Sequence, residues 1–95
     1  MDKTISERII EVIKEIPKGH VLSYKEVGEL AGHPNAARLV ARLLSNSSYK
    51  HNLPWWRVVN SKLEISIKNP SGRLMQKELL ESEGIVFING KIHVK

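Results

Sequence analysis

Apolar positions recur at helical spacing through the first half of the chain and then change period. Ile5, Ile9, Val12, Ile13 and Ile16 fall on one helical face, and Thr4-Ile5-Ser6-Glu7 has capping-box spacing, so a core helix is predicted. Pro17-Lys18-Gly19-His20 ends it with helix breakers, and Val21-Leu22 reads as a short extended link. A second capping box, Ser23-Tyr24-Lys25-Glu26, opens a helix with Val27, Leu30 and Ala31 on one face and Gly32 as its stop; Tyr24 sits in its first turn. Beyond the Gly32-His33-Pro34 corner a third helix is predicted over residues 35–44, with Val40, Leu43 and Leu44 inward. Two short helices across a glycine-containing turn are the pattern of a helix-turn-helix whose second helix does the reading, or of a plain helical packing unit.

Residues 45–52 are a polar connector rich in turn formers. Arg57-Val58-Val59 and the alternating Leu63-Glu64-Ile65-Ser66-Ile67 flank Asn60-Ser61-Lys62 and predict a small hairpin. Lys68-Asn69-Pro70-Ser71-Gly72 reads as a loop, basic at both edges, followed by a helix over residues 73–82 with Leu74, Met75, Leu79 and Leu80 as its apolar positions and Glu83-Gly84 as its stop. A second hairpin closes the chain, turning at Asn89-Gly90, a strong type I′ signal; it is either a wing against DNA or the edge of the core. The expected class is α+β, mainly α: a single winged helix-turn-helix domain over residues 1–95 with small β-hairpins.

One stretch stands apart. Leu53-Pro54-Trp55-Trp56-Arg57-Val58-Val59-Asn60 holds both tryptophans, side by side behind a proline that fixes its own φ and biases its predecessor to extended geometry. Two planar rings held on a stiff corner can floor a pocket or stack on a base; they can equally be core filler.

Composition narrows the chemistry. Ninety-five residues, 41% hydrophobic and 26% charged, suit one self-sufficient domain. The absence of cysteine excludes disulfides, thiolate metal sites and a thiol nucleophile. His20, His33, His51 and His93 lack metal-site spacing, so no metal is expected, and no motif calls for a cofactor. No apolar run approaches the ~20 residues of a membrane span, and Met1-Asp2-Lys3 leads straight into the first helix without a signal-peptide core, which points to a cytoplasmic protein without a membrane partner. The net charge of +5 favours a polyanionic partner, through counterion release from phosphates. At the start of the third helix, Ala36 and Ala37 would permit close approach to a duplex, and Arg38 could reach into its base stack or lie along the surface; Arg42, one turn on, is a phosphate contact or a solvated charge.

Several separate stretches then agree on one family. Ile16-Pro17-Lys18-Gly19, Leu22-Ser23-Tyr24, Ala31-Gly32, Ala36-Ala37-Arg38, Leu53-Pro54-Trp55-Trp56-Arg57-Val58-Val59 and Leu79-Leu80-Glu81-Ser82-Glu83-Gly84 resemble the DNA-binding domain of the O6-alkylguanine-DNA alkyltransferases, and more closely the alkyltransferase-like proteins that lack its cysteine. In the alkyltransferases the corner reads Pro-Cys-His-Arg, the cysteine accepting the alkyl group and the histidine relaying its proton. Here Trp55 stands at the cysteine position and Trp56 at the histidine position, whereas alkyltransferase-like proteins usually keep the histidine.

The resemblance implies a non-enzymatic monomer that binds duplex DNA containing O6-alkylguanine, flips the nucleotide and hands the site to repair proteins, those of nucleotide excision repair first. It implies that Tyr24 presses on the phosphate 3′ to the target, that Arg38 fills the vacated place in the stack, that Trp55 and Trp56 line the lesion pocket, and that Arg57 braces the loop beyond Pro54. Ser71 corresponds to a loop touching the lesion base. Asn46 lies one residue from the position of a family asparagine. Glu83 matches the glutamate that orients the family histidine; with Trp56 in that place the duty falls away and leaves it a structural role. The alternative is a winged-helix regulator without lesion specificity, and a further one is an enzyme that keeps some repair activity through another nucleophile.

Overall fold

The structure is a computed structural model and describes residues 4–46 and 52–93. Helix α1 (Ile5–Lys14) starts at Thr4, whose side chain accepts the Glu7 amide, and its apolar stripe buries Ile9 and Ile13, with Ile16 following beyond its end. Strand β1 (Leu22–Ser23) leads directly into α2 (Tyr24–Leu30), where the capping box of Ser23 and Glu26 is complete: Ser23 Oγ accepts the Glu26 amide at 3.0 Å and Glu26 Oε1 accepts the Ser23 amide at 2.9 Å. Helix α3 (Ala37–Ser45) begins two residues later than its pattern predicts, because the Pro34 corner continues through Ala36, whose amide bonds back to His33 O at 3.0 Å.

The three helices close on a core of Ile9, Ile13, Ile16, Val27, Ala31, Ala36, Val40, Leu43 and Leu44, joined by Leu53 and Val58 from beyond the connector. The inner face of α2 is centred on Val27, Gly28 and Ala31, which leaves Leu30 on the outside at 65% exposure, against expectation. Of the connector, residues 47–51 lie outside the described residues.

Beyond a 3-10 turn (Trp55–Arg57), strand β2 (Val58–Val59) pairs in parallel with β1, Leu22 opposite Val58 and Ser23 opposite Val59. The expected hairpin to residues 63–67 does not form. Asn60 intercepts the chain: its Oδ1 accepts the amides of Lys62 at 3.0 Å and Glu64 at 2.9 Å, and Leu63 takes a positive φ of 60°. A side chain that bonds its own backbone in this way competes with a strand ladder and wins here.

Helix α4 (Pro70–Ser82) starts three residues before its predicted start at Arg73. Asn69 caps it, accepting the Gly72 amide at 3.1 Å, and Pro70 takes the N1 place where its missing N–H costs nothing. Its buried line is Gln76 and Leu80, so Leu74 and Met75, expected inside, are more than half exposed. Strands β3 (Val86–Ile88) and β4 (Lys91–His93) form the closing hairpin across Asn89 (φ 52°) and Gly90 (φ 80°), two positive values as a type I′ turn requires. A second, smaller core joins Val59, Leu80 and Ile92, and the two tryptophans divide between the cores: Trp55 packs on the first and Trp56 on the second. Among the described residues no helix is long and apolar enough to cross a membrane, and no group of three or more potential metal ligands is assembled.

Candidate nucleic-acid interface

The tryptophan corner is built from the backbone outward. Pro54 (φ −75°, ψ 63°) is the centre of an inverse γ-turn closed by the Trp55 amide on Leu53 O at 2.8 Å, and the Arg57 amide returns to Pro54 O at 3.0 Å. Side chains then lock it. Arg57 donates through Nη1 to Ile16 O at 2.8 Å, and through Nε and Nη2 it forks onto the Glu83 carboxylate, with its shortest contact at 2.7 Å. Glu83 also accepts the Trp56 indole N–H at 2.9 Å and the Gly19 amide at 3.1 Å. From α4, Gln76 Nε2 donates to the carbonyls of Trp56 and Val58, both at 3.0 Å.

Glu83 therefore does orient the residue at position 56, contrary to the expectation that tryptophan would free it of that task. An indole N–H is a donor like an imidazole N–H, and the carboxylate takes it. The bonds from Arg57, foremost, with those from Trp56 and Gly19, outweigh the burial that opposes charge and bring the Glu83 pKa from 4.5 down to about 2. The two indoles meet edge to face, with centroids 6.1 Å apart and planes at 88°, and the Arg57 guanidinium lies 5.3 Å from the Trp56 ring centroid. Chemically this is a rigid aromatic wall with no thiol, no base and every polar group of the clamp occupied except Gln76 Oε1, which is buried without a partner.

The helix-turn-helix is held by packing instead. Gly28 of α2 lies so close to the turn that a Cβ there would stand 2.8 Å from His33 O, which fixes how near α3 can come. Arg38 and Arg42, one turn apart on α3, are exposed, without an ion pair among the described residues, and border a groove of about 500 Å³ with Ile5, His33, Asn35 and Leu39. Helix α3 has no capping side chain at Ala36, so its first amides and its positive dipole end stay available to an anion. Ala36 itself is not a surface methyl: it is 8% exposed and packs in the first core, because Gly28 opens the space for it. Ala37 is half-buried.

The structure thus gathers Pro54, Trp55, Trp56, Arg57 and Glu83 into one cluster and Arg38 with Arg42 into another. Tyr24 is half-buried, its hydroxyl 3.1 Å from Ser66 Oγ. Ser71 is exposed in the first turn of α4 and not in a loop, and Asn46 is the exposed C-cap of α3. Gln76 and Gly28 went unnoticed in sequence; the buried Gln76 shares a helical line with Leu80, a polar residue hidden within the apolar period.

Residues 4–85 match the family described as 6-O-methylguanine DNA methyltransferase, DNA binding domain. The chain belongs to this family. The sequence contains no cysteine, so this member carries no thiol of the kind that accepts an alkyl group. It is 46% identical over 91 residues to the DNA base-flipping protein of Vibrio parahaemolyticus, covering 93% of this chain and 88% of that one. It is 35% identical over 79 residues to alkyltransferase-like protein 1 of Schizosaccharomyces pombe, 82% and 73% of the two chains. Its fold superposes on the crystal structure of S. pombe Atl1 in complex with damaged DNA containing O6-carboxymethylguanine, with a TM-score of 0.81 at 30% identity, covering 96% of this chain and 88% of that one.

Proposed function

We propose that this family member is a non-enzymatic sensor of O6-alkylguanine in duplex DNA, which turns the damaged nucleotide out against Trp55 and flags it for nucleotide excision repair. The observation that carries the reading is the corner itself: a half-buried indole at the acceptor position, on a turn bonded to Glu83, Ile16 and Gln76, in a chain with no thiol. Such a surface binds a base and does nothing to it. The likeness to an Atl1 chain bound to damaged DNA supports the same reading.

In this scheme Arg38, exposed and without an ion pair among the described residues, fills the gap in the stack, Arg42 neutralises a phosphate, and Tyr24, steadied by Ser66, presses on the backbone. Flipping costs a few kcal/mol, least at a poorly paired lesion. Stacking of the flipped base on indole returns ~1–3 kcal/mol, enough to make the lesion decide the balance. The test is a titration at physiological salt against matched duplexes, one with a single O6-methylguanine and one with guanine, followed by an intact mass of the protein. Preference for the lesion with unchanged mass is the expected result; equal affinity for both duplexes sinks the sensor and leaves a general DNA-binding domain.

A further inference from the structure

The geometry points to Trp56 as a positioning residue that sets the plane of Trp55, so that the Trp56–Glu83 bond governs how well the flipped base is received. This rests on the sensor reading above. The Trp56 side chain and backbone are both held: its indole N–H is bonded by Glu83 Oε2 at 2.9 Å, the Arg57 cation sits 5.3 Å from the ring centroid, and Gln76 Nε2 holds the backbone carbonyl at 3.0 Å. Glu83 is itself immobile, forked by Arg57 and bonded by Gly19. Trp55 meets this fixed ring at 88° and 6.1 Å, an edge-to-face contact that fails if either ring turns. Side chain 56 therefore acts on the ligand through side chain 55, and the anchor is the indole N–H rather than ring bulk.

Two variants isolate that anchor. Trp56→Phe keeps an aromatic ring and loses the donor; Trp56→His keeps an N–H for Glu83 and loses ring breadth. Each leaves Trp55 as the sole tryptophan of a chain that has two, so its emission reports on Trp55 alone. Time-resolved anisotropy of the free proteins should show more local motion of Trp55 in the Phe variant than in the His variant. Lesion-duplex affinity should fall by a further ~2- to 12-fold in the Phe variant, the range such a ring pair is worth, with undamaged-duplex affinity alike in both.

Equal Trp55 mobility in two folded variants overturns the positioning role. Loosened Trp55 with undiminished lesion preference overturns its link to binding. Should Trp56→Phe fail to fold, hydrogen exchange in the unaltered protein decides: the Trp56 indole proton is expected to exchange on the order of tenfold more slowly than a free indole, and free exchange overturns the anchor. Mobility and exchange are read without DNA, so an unaltered protein showing no lesion preference counts against the sensor reading alone.

Discussion

The tryptophan corner and helix α3 are immobilised by opposite means. At the corner, a buried carboxylate gathers a guanidinium, an indole and an amide, and a buried glutamine ties the strand behind it. At α3, packing through Gly28 and Ala36 sets the helix, and both arginines are left unencumbered. A surface that receives a flipped base, as proposed for the corner, needs walls that hold their angle, which directional bonds supply. A helix that must follow a groove needs a firm axis and mobile cations, which close apolar packing supplies at no cost in charge.

Removing the hub breaks this contrast most severely. Glu83→Ala would strand the Arg57 guanidinium and the donors of Trp56 and Gly19 in a site where the carboxylate side chain is only 6% exposed, and should cost ~3–5 kcal/mol in urea unfolding. The same hub makes stability depend on acid. The Glu83 pKa is depressed in the folded state, from 4.5 to about 2, so its contribution is present above the unfolded value and is lost as pH falls through the folded one. This contribution should be constant above about pH 5 and fall by about 1–3 kcal/mol between about pH 4.5 and 2, solvent screening keeping it below the full value of the shift. Glu83→Gln should flatten that component, and an unchanged acid profile in this variant would show that the carboxylate is not its source.

At the other region the decisive change is a single methyl. Helix propensity alone says Gly28→Ala should stabilise α2 by about 1 kcal/mol. The added Cβ, however, would sit 2.8 Å from the His33 carbonyl, a backbone atom that cannot swing aside. Overpacking of this kind costs ~1–3 kcal/mol, so the net effect should be destabilising, with weaker binding to lesion and plain duplex alike as α3 is pushed outward. A stabilised Gly28→Ala protein would show that the turn yields.

What the sequence disclosed follows the same divide. Periodic apolar positions and caps located the four helices among the described residues, and Asn89-Gly90 located the closing turn, because those signals are local. The α4 start was missed although Asn69-Pro70 is an N-cap and N1 pair, since the same dipeptide also marks a loop. The false hairpin at residues 63–67 came from clean alternation that Asn60 overrides, and the partner of Val58 proved to lie 36 positions earlier, at Leu22. No local pattern announces a parallel pair at that separation. The corner residues were nameable, but their bonding was not: Glu83 and Gln76 reach them from later in the chain.

The smallest expected effect on stability is the most informative about DNA. Arg38→Ala should change folding stability by less than ~0.5 kcal/mol, because the side chain is exposed and has no ion pair among the described residues. Its loss should nonetheless weaken binding to both duplexes, the lesion duplex more, since the empty place left by the flipped base goes unfilled. Arg42→Ala, one turn along the same groove, should instead lower affinity evenly and reduce the slope of log K against log salt by about 1, as loss of one phosphate contact does. If the two variants behave alike, Arg38 is a phosphate contact too, and whatever fills the stack must come from elsewhere. If Arg38→Ala unfolds, then α3 depends on its side chain, and the division between a bonded corner and a packed helix does not hold.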